Sequence, residues 1–337
     1  MFTIYARTGT TNEAIRGGPM SGILLRKKYI RRFSGMKRYS RLAAWVVFGA
    51  YVAMILASVW LGDYLLSLPI SVWSVLLVVM TSIFIGTRLR GINNIVHECC
   101  HSTFSETLTD NVLIGRLSTS LLMKTFRKYR EDHLSHHANN GDYETDAEFA
   151  VIEKFGLQDP LTLPTVLRHI STPLTGRHLP IYSGISLSGD DGRFFVWLKV
   201  ALLALIAAFT VFAPLTSLIF LLIPLFYIFP TLNFWTDCLD HAGLVGAEDE
   251  LEASRNVLAP TLVRWLFFPR NDSYHLVHHL FPQVPARHLD HAHAELNKDL
   301  SYAARPSAAL PVHQGLAKFF YLDLFRKGRK SVRNQQS

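Results

Sequence analysis

The sequence predicts an all-α integral membrane protein: four transmembrane helices in two hairpins, with the other segments forming a helical cytosolic cap. Three observations predict it. Long runs carry no charge; 49% of the 337 residues are apolar, with a positive mean hydropathy; and the basic residues behind a net charge of +8 are bunched beside the uncharged runs. A soluble two-domain chain, which length alone would suggest, accounts for none of these.

Residues 1–41 read as a basic cytosolic arm, with Arg26, Lys27, Lys28, Arg31, Arg32, Lys37, Arg38 and Arg41 ahead of the first span. Residues 1–22 are polar and lack the apolar centre of a cleaved secretory signal, and Met20 offers an alternative start. Residues 42–87 read as transmembrane hairpin 1. Its first span is the uncharged run between Arg41 and Asp63, and its second, 70–87, ends before Arg88. At about 1.5 Å per residue each can cross the hydrocarbon core as one helix. Trp45, Trp60 and Trp73 lie near span ends, where aromatic side chains favour the interface.

Residues 88–199 form the first part of the cap. Within it, 112–123 is apolar but interrupted by Arg116, which suits a helix lying in the membrane interface. Residues 145–193 are cut into short pieces by Pro160, Pro164, Pro173 and Pro180 and read as an irregular cover. Residues 200–236 carry no charge and are long enough for two spans joined at Ala213-Pro214, which makes transmembrane hairpin 2. Residues 237–337 complete the cap. They include a second interfacial candidate at 257–268, interrupted by Arg264, and a basic tail of Arg326, Lys327, Arg329, Lys330 and Arg333.

Neither hairpin tip holds a basic residue, so the positive-inside rule puts both termini and the long middle segment in the cytosol. Nucleic-acid binding would need these charges on one face of a soluble module, whereas here they flank spans. Cys99, Cys100 and Cys238 form no CxxC pair and read as reduced thiols.

Histidine supplies the chemistry. His97 and His101 are spaced i, i+4, which on a helix puts both imidazoles on one face. His133, His136, His137 and His275, His278, His279 repeat one spacing, i, i+3, i+4, and so line a helical stripe twice over. All three groups fall on the same side of the membrane by the charge rule. His241 follows the fourth span at the depth expected for His97 and is a further candidate. Eight or nine imidazoles exceed the three or four that one zinc ion uses, so two metal ions are implied. Imidazole serves iron, copper and zinc alike, and ligand type does not choose among them. Glu98, Asp132, Asp237, Asp240, Asn271 and Asp272 lie beside the clusters and are candidates to receive the second ring N–H of a ligand. His169, His178, His288, His291, His293 and His313 fall outside the spacing and are assigned polar interfacial or surface roles.

HECCHSTF after the second span, HLSHH followed by GDYETDAEF, and NDSYHLVHHLFPQVP make the chain resemble the membrane fatty acid desaturase and hydroxylase superfamily over residues 42–295. The resemblance implies a four-helix membrane fold whose cytosolic cap holds an all-histidine diiron centre, with His241 as the extra ligand. It also implies O2 as co-substrate, a lipid or acyl substrate, and an acyl desaturase activity. A hydroxylase or carotenoid ketolase of the same superfamily is the neighbouring reading, separable by its product. No HPGG haem motif occurs, so electrons would come from a separate ferredoxin, rubredoxin or cytochrome b5 type of carrier. A membrane zinc-binding or transport protein is the reading from another class, but transport calls for ionisable groups inside the spans, and the uncharged runs have none.

Overall fold

The computed structural model describes residues 21–139, 142–308 and 310–311. The start of the arm, His313 and the basic tail expected at 326–333 lie outside the described residues. What is described is mostly helical. The helices that matter for position are α1 (Gly22–Phe33), α2 (Arg41–Leu66), α3 (Val72–Cys100), α4 (Leu108–Leu121), α5 (Phe126–Asn139) and α6 (Leu163–Ser171). They are followed by α7 (Arg193–Phe212), α8 (Pro214–His241), α9 (Thr261–Phe267), α10 (His275–Leu280) and α11 (Leu289–Leu296). Four of them, α2, α3, α7 and α8, are long and apolar enough to cross a membrane.

Local chemistry sets the ends of these helices. The Ser40 side chain caps α2, and Ser71 and Ser74 cap α3 reciprocally, which satisfies amide groups that the first turn leaves free. Ala213 breaks the helix between α7 and Pro214, as the sequence suggested. The helices nevertheless outrun the uncharged runs. α3 does not stop at Arg88 but continues to Cys100, and α7 starts at Arg193, enclosing the buried Lys199. Charge marks where a helix leaves an apolar surround, not where its hydrogen bonds stop. At about 1.5 Å per residue α3 is roughly 44 Å long, more than a hydrocarbon core of about 30 Å, and His97 lies in the surplus near its C-terminal end.

α3 packs against α2, α4 and α8. A Cβ on Gly86 would stand 2.4 Å from Ile228, and one on Gly91 2.0 Å from the Tyr51 ring, so only glycine permits this approach. α8 contains two π-helical stretches, Leu218–Leu222 and Pro224–Ile228, before regular α-helix resumes at Phe229. Wide turns of this kind accommodate Pro224 and Pro230, which lack the N–H of a regular turn. The first half of α3 and much of α2 expose Leu56, Trp60, Trp73, Leu77 and Met80, while residues 85–92 of α3 are buried throughout.

Arg88 is fully buried, lies 4.3 Å over the Trp265 ring and donates to the carbonyls of Trp265 (2.5 Å) and Leu266 (3.2 Å). It fastens α9 to α3, and α9 presents Leu262 and Trp265 outward. The expected helix over 257–268 is shorter than anticipated. Pro260 holds the preceding residue away from helical geometry, so the helix begins at Thr261, while Val257–Leu258 pair in parallel with Leu310–Pro311. That two-residue pair and a single parallel bridge between Tyr39 and Ser105 are the departures from an all-α architecture among the described residues. Between Thr145 and Arg193 the chain forms short helical pieces separated by turns, as its prolines predict.

Candidate metal centre

Four elements supply the histidines. α3 ends on Cys100 and brings in His97 and, at its C-cap, His101. α5 supplies His133, His136 and His137; its first amides, those of Phe126 and Arg127, donate to the Asp191 carboxylate at 2.7 and 3.0 Å, which fixes its start. α8 ends on His241, and α10 supplies His275, His278 and His279.

All nine sequence candidates meet, in two groups. His97, His101, His133, His137 and His278 form one, and His136, His241, His275 and His279 the other; within each group one ring nitrogen per residue lies within 4.8 Å of all the rest. Each HxxHH helix serves both groups. α5 sends its i, i+4 pair to the first and its i+3 residue to the second, and α10 does the reverse. The single stripe expected from spacing is therefore a shared wall.

In the first group the Nε2 of His133 lies 2.9 Å from that of His101 and 3.1 Å from that of His137, which is 2.9 Å from that of His278. In the second, the Nε2 of His275 lies 2.8 Å from that of His241 and 2.9 Å from that of His279, which is 3.3 Å from that of His136. Four of the histidines have a partner at the opposite ring nitrogen. His136 Nδ1 donates to Asp146 (2.7 Å), His133 Nδ1 to Glu148 (3.1 Å) and His241 Nδ1 to the Ala253 carbonyl (3.1 Å), while His275 Nδ1 faces Asp240 at 3.6 Å. A neutral imidazole that gives its proton outward presents a bare lone pair inward. Lone pairs facing each other at these distances repel unless a cation lies between them.

Burial keeps most of the rings neutral. It pushes His101 down to about 4, and together with the neighbouring imidazoles it holds His133, His137, His275, His278 and His279 well below the ordinary histidine value. At His136 burial acts in the same direction, but the hydrogen bond to Asp146 and the Glu148 and Asp146 charges outweigh it and raise the value. The donor set fits a metal: with metal–nitrogen bonds of about 2.0–2.1 Å, ligand nitrogens at right angles or tetrahedral angles stand roughly 2.9–3.4 Å apart. Two ions could be held, one in each group.

The acidic and amide candidates divide. Asp240 faces His275 at 3.6 Å. Asp132 pairs with Lys128 at 2.5 Å near the surface, Asp237 accepts from the Tyr182 hydroxyl at 2.6 Å, Asp272 pairs with Arg90, and the Asn271 amide donates to the Ala286 carbonyl at 3.1 Å. Glu98 pairs with Arg270 while both are almost wholly buried. Arg270 and Asn271 adopt consecutive left-handed conformations (φ 66° and 59°), a strained turn just before the third histidine group, and the Glu98 pair ties that turn to α3. Glu98→Ala leaves the Arg270 charge buried without its carboxylate. The expected cost is about 3–5 kcal/mol of stability, read as a lowered unfolding midpoint in detergent; an unchanged midpoint would show that the pair is not structural.

Asp146 and Glu148 were not singled out from the sequence as histidine partners. They follow their histidines by 10 and 15 residues through a turn in which the Asp146 amide donates to the Asp142 carbonyl at 2.7 Å. Helical spacing does not reveal such a pairing; the acidic run GDYETDAEF was its only trace. His169, His178 and His293 stand apart from both groups, but they are buried and not interfacial or at the surface. His293 is built into a polar network with Tyr302 (2.9 Å), and His178 meets Thr231 at 3.1 Å. Cys99, Cys100 and Cys238 are buried free thiols.

A cavity of about 310 Å³ opens beside both groups. His97, His133, His136, His241 and His275 line it together with Tyr129, Tyr182, Asn233 and Asp237. A second cavity, of about 380 Å³ and almost purely apolar, lies among α2, α3, α7 and α8.

Comparison with known proteins gives a consistent result. Residues 71–308 match the family model described as fatty acid desaturase. Similar curated proteins include the acyl-lipid omega-3 desaturase (cytochrome b5) of the endoplasmic reticulum of Arabidopsis thaliana, 25% identical over 68% of this chain and 66% of the relative. The chloroplastic omega-3 fatty acid desaturase of Brassica napus is 26% identical over 68% of this chain and 63% of its own. The chloroplastic sn-2 acyl-lipid omega-3 desaturase (ferredoxin) of Arabidopsis thaliana is 26% identical over 68% and 57%. The aligned part of the chain thus spans just under two thirds or less of the length of these relatives.

Proposed function

The chain belongs to the fatty acid desaturase family, and from that premise we propose that it desaturates a lipid acyl chain. The overall change is –CH2–CH2– + O2 + 2 e⁻ + 2 H⁺ → –CH=CH– + 2 H2O. The observation that carries the reading is the inward opposition of Nε2 lone pairs in two groups, backed by Asp146, Glu148, Ala253 and Asp240. His97, His101, His133, His137 and His278 hold one iron ion in this proposal, and His136, His241, His275 and His279 the other. When bound, the iron pair supplies the oxygen chemistry that an unactivated C–H bond demands, which neither zinc nor any side chain here can provide.

The protein's own part is positional. The carboxylates and the Ala253 carbonyl fix ring tautomers and orientations, as outer partners of metal-bound histidines do. Burial favours the neutral, ligating form of most of the imidazoles. The cavity lined by His97, His133, His136, His241 and His275 gives a methylene pair a place beside the site.

The four apolar helices are read as two membrane hairpins, α2 with α3 and α7 with α8, carrying a cytosolic cap with both termini on that side. The concentration of Arg and Lys before α2 supports this orientation. Electrons come from a separate carrier; relatives whose names specify cytochrome b5 and ferredoxin favour those types.

Expression in a host lacking the corresponding desaturase, followed by fatty acid analysis, tests the proposal. A new double bond in an acyl chain is expected. Metal-loaded protein with a working donor that leaves the double-bond profile unchanged, or that yields an alcohol or ketone, would overturn it; the latter product would place the chain with the hydroxylases or carotenoid ketolases.

A further inference from the structure

α1 covers the face of α10 opposite the histidine groups. Arg26 Nε donates to the Leu280 carbonyl (2.8 Å) and its Nη2 to the His279 carbonyl (3.1 Å), so one guanidinium reaches the main chain of a histidine in the second group. Phe33 meets Phe281 edge to face at 4.8 Å, and Leu25 is fully buried in the same apolar layer. Three cations of α1 are answered by carboxylates: Arg26 by Glu250 (2.8 Å), Lys28 by Asp299 (2.7 Å) and Arg32 by Glu295.

The outward side differs. Ile23, Leu24, Lys27, Ile30 and Arg31 fall within about a third of the helix circumference, and all are exposed. Among the described residues no carboxylate pairs with Lys27 or Arg31. Three aliphatic side chains and two unanswered cations therefore stand over the histidine groups, with one helix between.

We propose that this outer face of α1 docks the acidic one-electron carrier that reduces the metal site, a deepening of the reading above that rests on it. Each encounter oxidises the carrier by one electron, and two encounters meet the two-electron demand of the reaction. Carboxylates around the carrier's redox edge would meet Lys27 and Arg31, and its apolar centre would meet Ile23, Leu24 and Ile30. A small, charge-steered contact of this kind suits a partner that must leave between electrons.

An anionic lipid surface is the other chemistry such a helix could meet, but the position argues against it. α3 loses its exposed apolar side by Arg88, and His97 lies roughly 14 Å further along the helix at about 1.5 Å per residue. α1 rests beyond that level, on α10, α11 and residues 249–251.

The test is binding of a soluble cytochrome b5 domain, and separately of a plant-type ferredoxin, to the full chain in nanodiscs of neutral lipid. With Lys27→Glu/Arg31→Glu, the dissociation constant for one of these carriers is expected to rise at least about tenfold and to lose most of its salt dependence. The charge-conserving Lys27→Arg/Arg31→Lys is expected to bind as wild type. Chemically pre-reduced charge-reversed protein should give the wild-type yield in a single turnover with oxygen. If no product forms even in wild type, the proposed activity fails while the dissociation constants still judge the docking face. Unchanged affinity for both carriers, wild-type protein that binds neither, or a loss that appears only when the nanodiscs are remade with anionic lipid would overturn the proposal.

Discussion

Alanine in place of His137 is expected to abolish product formation, with a loss beyond about a hundredfold, and to lower bound metal from two ions per chain to one or fewer. His137 Nε2 stands within 3.1 Å of His133 and 2.9 Å of His278, so it joins the α5 and α10 contributions to the first group. Its removal leaves that group short of a donor where α5 and α10 meet. The control is His291→Ala, an exposed histidine outside both groups, which is expected to retain metal and product. Metal analysis and product analysis on the same preparations decide the matter. Two ions and near-normal product in His137→Ala would mean that the first group does not act as a ligand set.

Asp146→Asn should weaken metal binding at the second group by about tenfold to a hundredfold, the usual cost of disturbing an outer partner of a ligating histidine. Asp146 and His136 are both buried, and the carboxylate accepts the Nδ1 proton at 2.7 Å. The same carboxylate accepts from the amides of Glu148 and Phe149 at 3.0 Å each, and asparagine preserves that acceptor while deleting the charge. The substitution thereby separates the electrostatic role from the turn. Asp132→Asn is the matched control: Asp132 is also acidic and lies next to His133 in sequence, but it pairs with Lys128 near the surface and should leave metal affinity unchanged. Equal affinities in wild type and Asp146→Asn, by competition with a chelator, would remove the carboxylate from the account.

The contrast between Asp132 and Asp146 shows how far the site is legible in the sequence. The nine histidines were legible because helix geometry converts i, i+3, i+4 spacing directly into side-chain direction. His241 was legible because a span of known rise delivers its end to a known depth. The partners behind the histidines, Asp240 excepted, were not, because a turn and not a helical period brings Asp146 and Glu148 back, and adjacency in sequence favoured Asp132, Asp237 and Asp272, which pair instead with Lys128, Tyr182 and Arg90. The same limit applies to the division into two groups: spacing places His133, His136 and His137 on one side of α5, but only the packing of α3, α8 and α10 decides which faces which group.

The fold divides in a similar way. The turn between α7 and α8 at Ala213-Pro214 and the broken segment between Thr145 and Arg193 followed from proline chemistry. The continuation of α3 past Arg88 did not, since a buried arginine satisfied by Trp265 and Leu266 from a distant segment leaves no local mark. The burial of His169, His178 and His293 escaped for the opposite reason: histidine alone carries no burial signal, and their surroundings come from segments far apart in the chain.

Iron quantification joined to X-ray absorption at the iron edge, on full-length protein purified with its metal, tests the central claim most directly. Two irons per chain are predicted, each surrounded by nitrogen donors at about 2.0–2.2 Å. A single ion per chain, or a sulfur shell showing that Cys99, Cys100 or Cys238 serves as a ligand, would contradict it.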